Sequence, residues 1–224
     1  MTSAQVRQRI LEIGIIPVVR ASSAREAIMA VEAVTAGGIP IAELTMTVPG
    51  AIGVIADLVR TMGKDTIVGA GTVLDAETAQ RCMDAGAEFI VSPGFDVETV
   101  RSVKRQDKLV MAGALTPTEV ITAWKAGSDF VKIFPCGNLG GPKYIKALKG
   151  PLPQVPMVPT GGVTLETAAD FIRAGADALG IGGELVSSAV LKSGNVSEIT
   201  RTARHFLEAI AEAKRPAASI ALAR

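Results

Sequence analysis

The chain has one histidine and two cysteines in 224 residues. A lone histidine cannot supply a nitrogen-rich metal site, and with no cysteine cluster a sulfur-rich one is excluded as well. Nor do two cysteines make a disulfide framework, so Cys82 and Cys136 read as reduced thiols in a cytoplasmic setting. Aromatic residues are only 4% of the chain, so its core must be built from Val, Ile, Leu, Ala and Met. Charge of one sign is also missing. With 23 Lys and Arg against 22 Asp and Glu, there is no basic excess of the kind that binds nucleic acid. No apolar run of membrane-spanning length goes uninterrupted by charge or turn residues. The opening MTSAQVRQRILEIG is amphipathic and lacks a signal-cleavage pattern. These absences point to a cytoplasmic protein with a small-molecule partner, no nucleic acid and no membrane; an oxygen-only Mg²⁺ site stays open, but nothing points to one, and no metal or cofactor is expected.

What is present is short apolar runs in alternation with helical patterns. Strand candidates lie at 15–20, 41–47, 66–71, 88–93, 109–114, 129–135, 156–161 and 178–183. They are continuous rather than alternating, as parallel strands covered by helices on one side and packed on the other should be. Ser22, Asp75, Thr116 and Thr164 stand as N-caps for intervening helices, and Pro117 fits a first helical position. The sequences TAGGI (35–39), DAGAEFI (84–90), KAGSDFV (125–131) and RAGADAL (173–179) repeat one helix ending at every second strand–helix unit. Eight such units predict a (β/α)8 barrel, with an open doubly wound sheet as the alternative. The whole chain, 1–224, reads as a single domain, with an extra helix at 3–13 before the first strand and a final one at 196–214.

In a barrel, chemistry sits at the carboxyl ends of the strands. Two charged residues interrupt strands from within. In DFVKIFP, Lys132 is surrounded by Phe130, Val131, Ile133 and Phe134. Burial disfavours an ammonium and favours the neutral amine, which can attack a carbonyl and form a Schiff base. A structural lysine with its head at the barrel mouth is the plainer reading. In IAELTMT, Glu43 places a carboxylate between Ala42 and Leu44. It reads either as a structural ion-pair partner or as the acid–base group that an iminium-forming amine requires. The PTGG and GIGG stretches, Pro159–Gly162 and Gly180–Gly183, end the last two strands and suggest a phosphate site. GAGT, Gly69–Thr72, is a further loop for close approach. His205 lies in the last helix and reads as a surface or packing residue, and the lysines of GPKYIKALKG (141–150) as a solvated helix face.

The stretches AELTMTVP, IVGAGTVL, FIVSPGF, AGALTPTE, FVKIFP, GPKYIKALKGP, VPTGGV and GIGG occur in this order. In them the chain resembles the bacterial 2-keto-3-deoxy-6-phosphogluconate and 4-hydroxy-2-oxoglutarate aldolases. That resemblance implies a trimeric class I aldolase releasing pyruvate from a small keto acid, with glyceraldehyde 3-phosphate or glyoxylate as the second product. It makes Lys132 the Schiff-base residue and Glu43 the acid–base group. Thr72 contacts the keto acid carboxylate, Pro93 and Phe134 line the pocket, and Gly161, Gly162, Gly182 and Gly183, with Thr160 beside them, form the phosphate end. Two positions depart from the family pattern. Thr47 stands where many members carry a carboxylate-binding arginine, which Arg20 could supply, as in galactonate-type relatives. Glu184 stands where many carry a serine, and its charge opposes a phosphate. Competing readings are a sugar-phosphate isomerase or synthase that uses Glu43 as a base, and a barrel that only binds.

Overall fold

The computed structural model describes residues 1–215. All eight strands form: β1 Ile15–Val19, β2 Ile41–Thr45, β3 Ile67–Gly71, β4 Phe89–Val91, β5 Leu109–Ala114, β6 Phe130–Ile133, β7 Met157–Pro159 and β8 Leu179–Ile181. They are parallel and ordered β7-β6-β5-β4-β3-β2-β1-β8. A bridge between Thr160 and Gly180 joins the two ends of this order, which closes the sheet into a (β/α)8 barrel. Most strands are one to three residues shorter than the apolar runs that announce them, trimmed at one or both ends, while β5 fills its run.

Helices α1 Ser3–Ile13, α2 Ala24–Ala36, α3 Ala51–Met62, α4 Ala76–Asp84, α5 Val97–Arg105, α6 Pro117–Lys125, α7 Pro142–Lys149, α8 Leu165–Arg173, α9 Ser188–Ser193 and α10 Ser197–Lys214 accompany the strands. Among the described residues, no helix is long and apolar enough to cross a membrane. Helix α1 lies across the amino end of the barrel. Ser3 bonds to Asp107 just before β5, the Met1 amino group meets Glu88 just before β4, and Arg7 stacks 5.5 Å from the Phe130 ring at the start of β6. This leaves the carboxyl end as the open mouth. On the outside, Phe171 of α8 and Phe206 of α10 are fully buried, and each such side chain stabilises the fold by about 1.5–3 kcal/mol.

The repeated helix ending forms the same turn four times. Gly38, Gly86, Gly127 and Gly175 have φ of 96°, 99°, 102° and 103°. The residue after each donates its N–H back across the glycine: Ile39 to Val34, Ala87 to Cys82, Ser128 to Ala123 and Ala176 to Phe171. This is a Schellman closure, and each leads into an even-numbered strand. In the last two copies an aspartate follows two residues after the glycine. Asp129 accepts the Val110 N–H and a bond from Lys104, and Asp177 accepts the Met157 N–H and a bond from Lys149.

That pattern corrects one expectation. Lys143 and Lys146 are exposed, but Lys149 is half-buried, 2.8 Å from Asp177, and also donates to the Val155 carbonyl. The α2 cap is also one residue later than expected. Ser23 accepts the Glu26 N–H, while Ser22 bonds to the Glu26 carboxylate. Asp75, Thr116 and Thr164 occupy the N-cap positions expected of them, and Pro117 starts α6. His205 is exposed.

At Gly127 an added Cβ meets nothing within 4 Å, so φ alone opposes a side chain there. Gly127→Ala is expected to lower the unfolding free energy by about 1–2 kcal/mol in urea titrations, with an unchanged m-value.

Candidate active site

Strands β2 and β6 lie on opposite sides of the barrel, yet Lys132 Nζ is 3.6 Å from Glu43 Oε1. Side chains four strands apart can meet this closely only through the interior, so both point inward. Both are buried, Glu43 at 3% exposure and Lys132 at 4%. Alternation along β6 puts Phe130, Lys132 and Phe134 on one face. Phe130 therefore sits toward the α1 end and Phe134 toward the mouth, with its ring centroid 5.4 Å from the lysine nitrogen. The separation of 3.6 Å pairs the charges but exceeds a hydrogen bond. Buried Glu43 Oε1 accepts no hydrogen bond from any described group. An acceptor left in that state is held for something other than stability.

The backbone makes room for this pair. A Cβ on Gly71 of β3 would lie 1.9 Å from Glu43 Oε1. One on Gly113, which pairs with Lys132 in the β5–β6 ladder, would lie 2.2 Å from the Pro93 backbone. Immediately after Gly71, Thr72 has φ 59°, a left-handed conformation that a β-branched residue rarely adopts.

The expected residues divide into two groups. Arg20, Phe134, Thr160, Gly161, Gly162, Gly182 and Gly183 line one cleft of about 280 Å³ at the carboxyl ends of β1, β6, β7 and β8, and Glu184 lines it too. Gly161 and Gly162 both have positive φ, 84° and 76°. Among the described residues, the N–H groups of Gly161, Gly162, Gly182 and Gly183 find no protein acceptor. Arg20 and Glu184 are both exposed, and among the described residues they form no ion pair. The others do not line that cleft. Thr72 and Pro93 lie just past the ends of β3 and β4, and Thr47 is exposed beyond β2, its hydroxyl 2.7 Å from that of Thr45. Thr45 in turn donates to the Val19 carbonyl.

Cys136 follows the site strand but is fully buried, and burial pushes its thiol up to about 11. Cys82 is raised to about 11 for the same reason. Thiols that stay protonated at neutral pH are poor nucleophiles. Among the described residues, no three His, Cys, Asp or Glu side chains converge as metal ligands would.

Residues 6–202 match the family described as KDPG and KHG aldolase. The chain belongs to that family. It is an aldolase, a lyase. It is 31% identical to a 2-dehydro-3-deoxy-phosphogluconate aldolase of Haemophilus influenzae, over 93% of this chain and 98% of that one. It is 34% identical to a 2-dehydro-3-deoxy-6-phosphogalactonate aldolase of Escherichia coli K12, over 89% and 95%. Among solved structures, it superposes with a TM-score of 0.80 on the KDPG aldolase of Legionella pneumophila, at 27% identity over 87% of this chain and 95% of that one. That structure holds pyruvate captured as a covalent carbinolamine intermediate.

Reading the aldolase from its sequence alone passes over Gly71 and Gly113 as individuals, and over Val18, which lines the cleft beside Arg20. The available signal is glycine inside a buried strand, which marks a close approach. Gly71→Ala is expected to leave the protein folded by circular dichroism while displacing the Glu43 carboxylate. Its aldol-cleavage kcat should fall about 100-fold, as expected for a misplacement near 1 Å.

Proposed function

We propose that this aldolase works through a Schiff base on Lys132 and cleaves a 2-keto-3-deoxy sugar acid to pyruvate and an aldehyde. The acids within this reading include 2-keto-3-deoxy-6-phosphogluconate, which would give glyceraldehyde 3-phosphate, and 4-hydroxy-2-oxoglutarate, which would give glyoxylate. The observation that carries it is the buried Lys132–Glu43 pair across the barrel interior. It combines an amine beside the Phe134 ring with a carboxylate whose Oε1 has no hydrogen-bonding partner among the described residues.

In the proposed sequence the Lys132 amine attacks the C2 ketone to form a carbinolamine. Glu43 takes a proton from the lysine nitrogen as the amine becomes the nucleophile and returns it to the C2 hydroxyl, which leaves as water as the iminium forms. Glu43 then accepts the C4 hydroxyl proton, directly or through one water. The C3–C4 electron pair moves into the iminium to give an enamine as the aldehyde departs. Protonation at C3 and hydrolysis return pyruvate and the free amine. Positioned acid–base catalysis contributes about 10²–10⁴-fold, and the iminium electron sink supplies much of the remainder.

Arg20 is the cation available for the substrate carboxylate, with Thr47 standing outside the cleft. Thr72, held at positive φ, offers its hydroxyl and backbone at the mouth of β3. Pro93 and Phe134 form walls, and Thr160 with the free N–H groups of the two glycine pairs forms the outer end. The reading includes a cytoplasmic enzyme of a single domain that assembles as a homotrimer. Exposed Leu74 and Leu139, on loops after β3 and β6, are apolar surface that self-association would cover.

Sodium borohydride added with pyruvate should fix pyruvate onto the peptide containing Lys132, seen by mass mapping. An adduct on another lysine would contradict the assignment. Lys132→Met should abolish cleavage, and Glu43→Gln should slow it by about 10²-fold or more while leaving some adduct. Light scattering should return three times the 23.1 kDa chain mass, and a monomer would contradict the trimer.

A further inference from the structure

The Phe134 ring faces the reacting nitrogen itself. Lys132 Nζ lies over the ring, 5.4 Å from its centroid. That is within the roughly 6 Å at which the negative face of an aromatic ring attracts a cation. Lys132 is buried, so little solvent screens the attraction. The ring is held from two sides. The Phe134 N–H donates to the Ala114 carbonyl of β5 at 3.1 Å. Gly161 leaves room on the other side, where a Cβ would lie 3.4 Å from the ring atom Cδ2. A leucine would close the same wall and exclude the same water, but it has no negative face to offer.

The proposed sequence puts a positive charge on this nitrogen for part of the cycle only. In the carbinolamine the nitrogen is neutral. When the protonated C2 hydroxyl leaves as water, the nitrogen lone pair forms the C=N bond, and the iminium carries one positive charge. The C3–C4 pair, or the C3–H pair in pyruvate, then moves toward the C=N bond. The nitrogen regains its lone pair, and the enamine is neutral. Glu43 Oε1, 3.6 Å from Nζ, also attracts the cation, but its charge is lost while it holds the proton from the C4 hydroxyl. The ring does not titrate and keeps its negative face throughout.

We propose that Phe134 is a catalytic residue of this aldolase, whose ring face stabilises the iminium cation on Lys132 against the neutral carbinolamine and enamine on either side of it. This rests on the Schiff-base reading above and adds the group that holds the electron sink.

The test compares two rates at saturating pyruvate. Borohydride traps the iminium, so the initial rate of adduct formation on Lys132 follows the iminium population. Exchange of the pyruvate methyl protons in D₂O follows the step from iminium to enamine. Phe134 is replaced site-specifically by the mono-, di- and trifluorinated phenylalanines, which nearly keep the shape of the ring and withdraw electrons from its face in steps. Phe134→Leu removes the face altogether. Trapping should fall along the series, to about three- to tenfold below wild type in Phe134→Leu, where tenfold corresponds to about 1.4 kcal/mol. A less stable iminium gives up its proton more readily, so exchange should fall less than trapping, and their ratio should rise with each fluorine. A ring that serves only as a wall would hold the ratio fixed. Trapping that is equal across the fluorinated proteins, or that falls with exchange at a constant ratio, overturns the proposal. If Phe134→Leu fails to fold by circular dichroism, the fluorinated series decides alone. An adduct on Lys132 without the graded effect rejects the role of Phe134 only, whereas no adduct in the wild type rejects the Schiff-base reading and this proposal together.

Discussion

The site depends on one buried contact, a lysine and a glutamate from opposite strands held 3.6 Å apart inside the barrel. A buried ion pair is a poor way to stabilise a fold, because desolvation offsets most of its Coulomb attraction, and apolar residues of the same volume often do as well. Here the cost is higher still, since Glu43 Oε1 accepts no hydrogen bond from the described residues. The arrangement makes sense if the pair is kept for chemistry. Removing either member alone would leave the other buried and unpaired, which costs about 3–5 kcal/mol. The two positions are thus coupled in stability as well as in the proposed mechanism.

The rest of the structure can be understood as what such a pair requires. Closure of eight strands brings β2 and β6 face to face across an interior narrow enough for their side chains to touch. Gly71 leaves the volume that the carboxylate occupies, and Gly113 lets the β4–α5 turn press against the strand beside Lys132. Helix α1 covers the amino end, so access is from the mouth, where the glycine pairs and Arg20 lie. The four Schellman turns deliver the even strands, β2 and β6 among them, with one geometry. Their regularity sets the register on which the depth of Glu43 and Lys132 depends.

The architecture was legible in the chain because buried parallel strands are written as unbroken apolar runs and helix ends as glycine turns, both local signals. Lys132 and Glu43 were legible as anomalies within such runs, and the family resemblance supplied the roles proposed for them. What local pattern could not supply was anything decided by distant partners. Lys149 looked like one more charge on a solvated helix until Asp177, from the turn before β8, paired with it. Two adjacent serines offered the same cap, and only the extended backbone of Ser23 selects it. Gly71 was visible as a glycine in a strand, but its purpose depends on a side chain in the neighbouring strand. Most residues that line the cleft were named from the sequence as well, whereas the fact that Arg20 and Glu184 share it appears only in the structure.

The central claim is that Lys132 and Glu43 act together on the keto acid, independently of its tail. The most direct measurement is proton exchange on pyruvate itself. An enamine on Lys132 would reprotonate at the methyl carbon, so in D₂O the protein should erase the pyruvate methyl signal in a proton NMR time course. The account predicts rapid exchange with the wild type, none above background with Lys132→Met, and a rate at least about 100-fold lower with Glu43→Gln. Exchange that persists in Lys132→Met, or that is unaffected by Glu43→Gln, would contradict it.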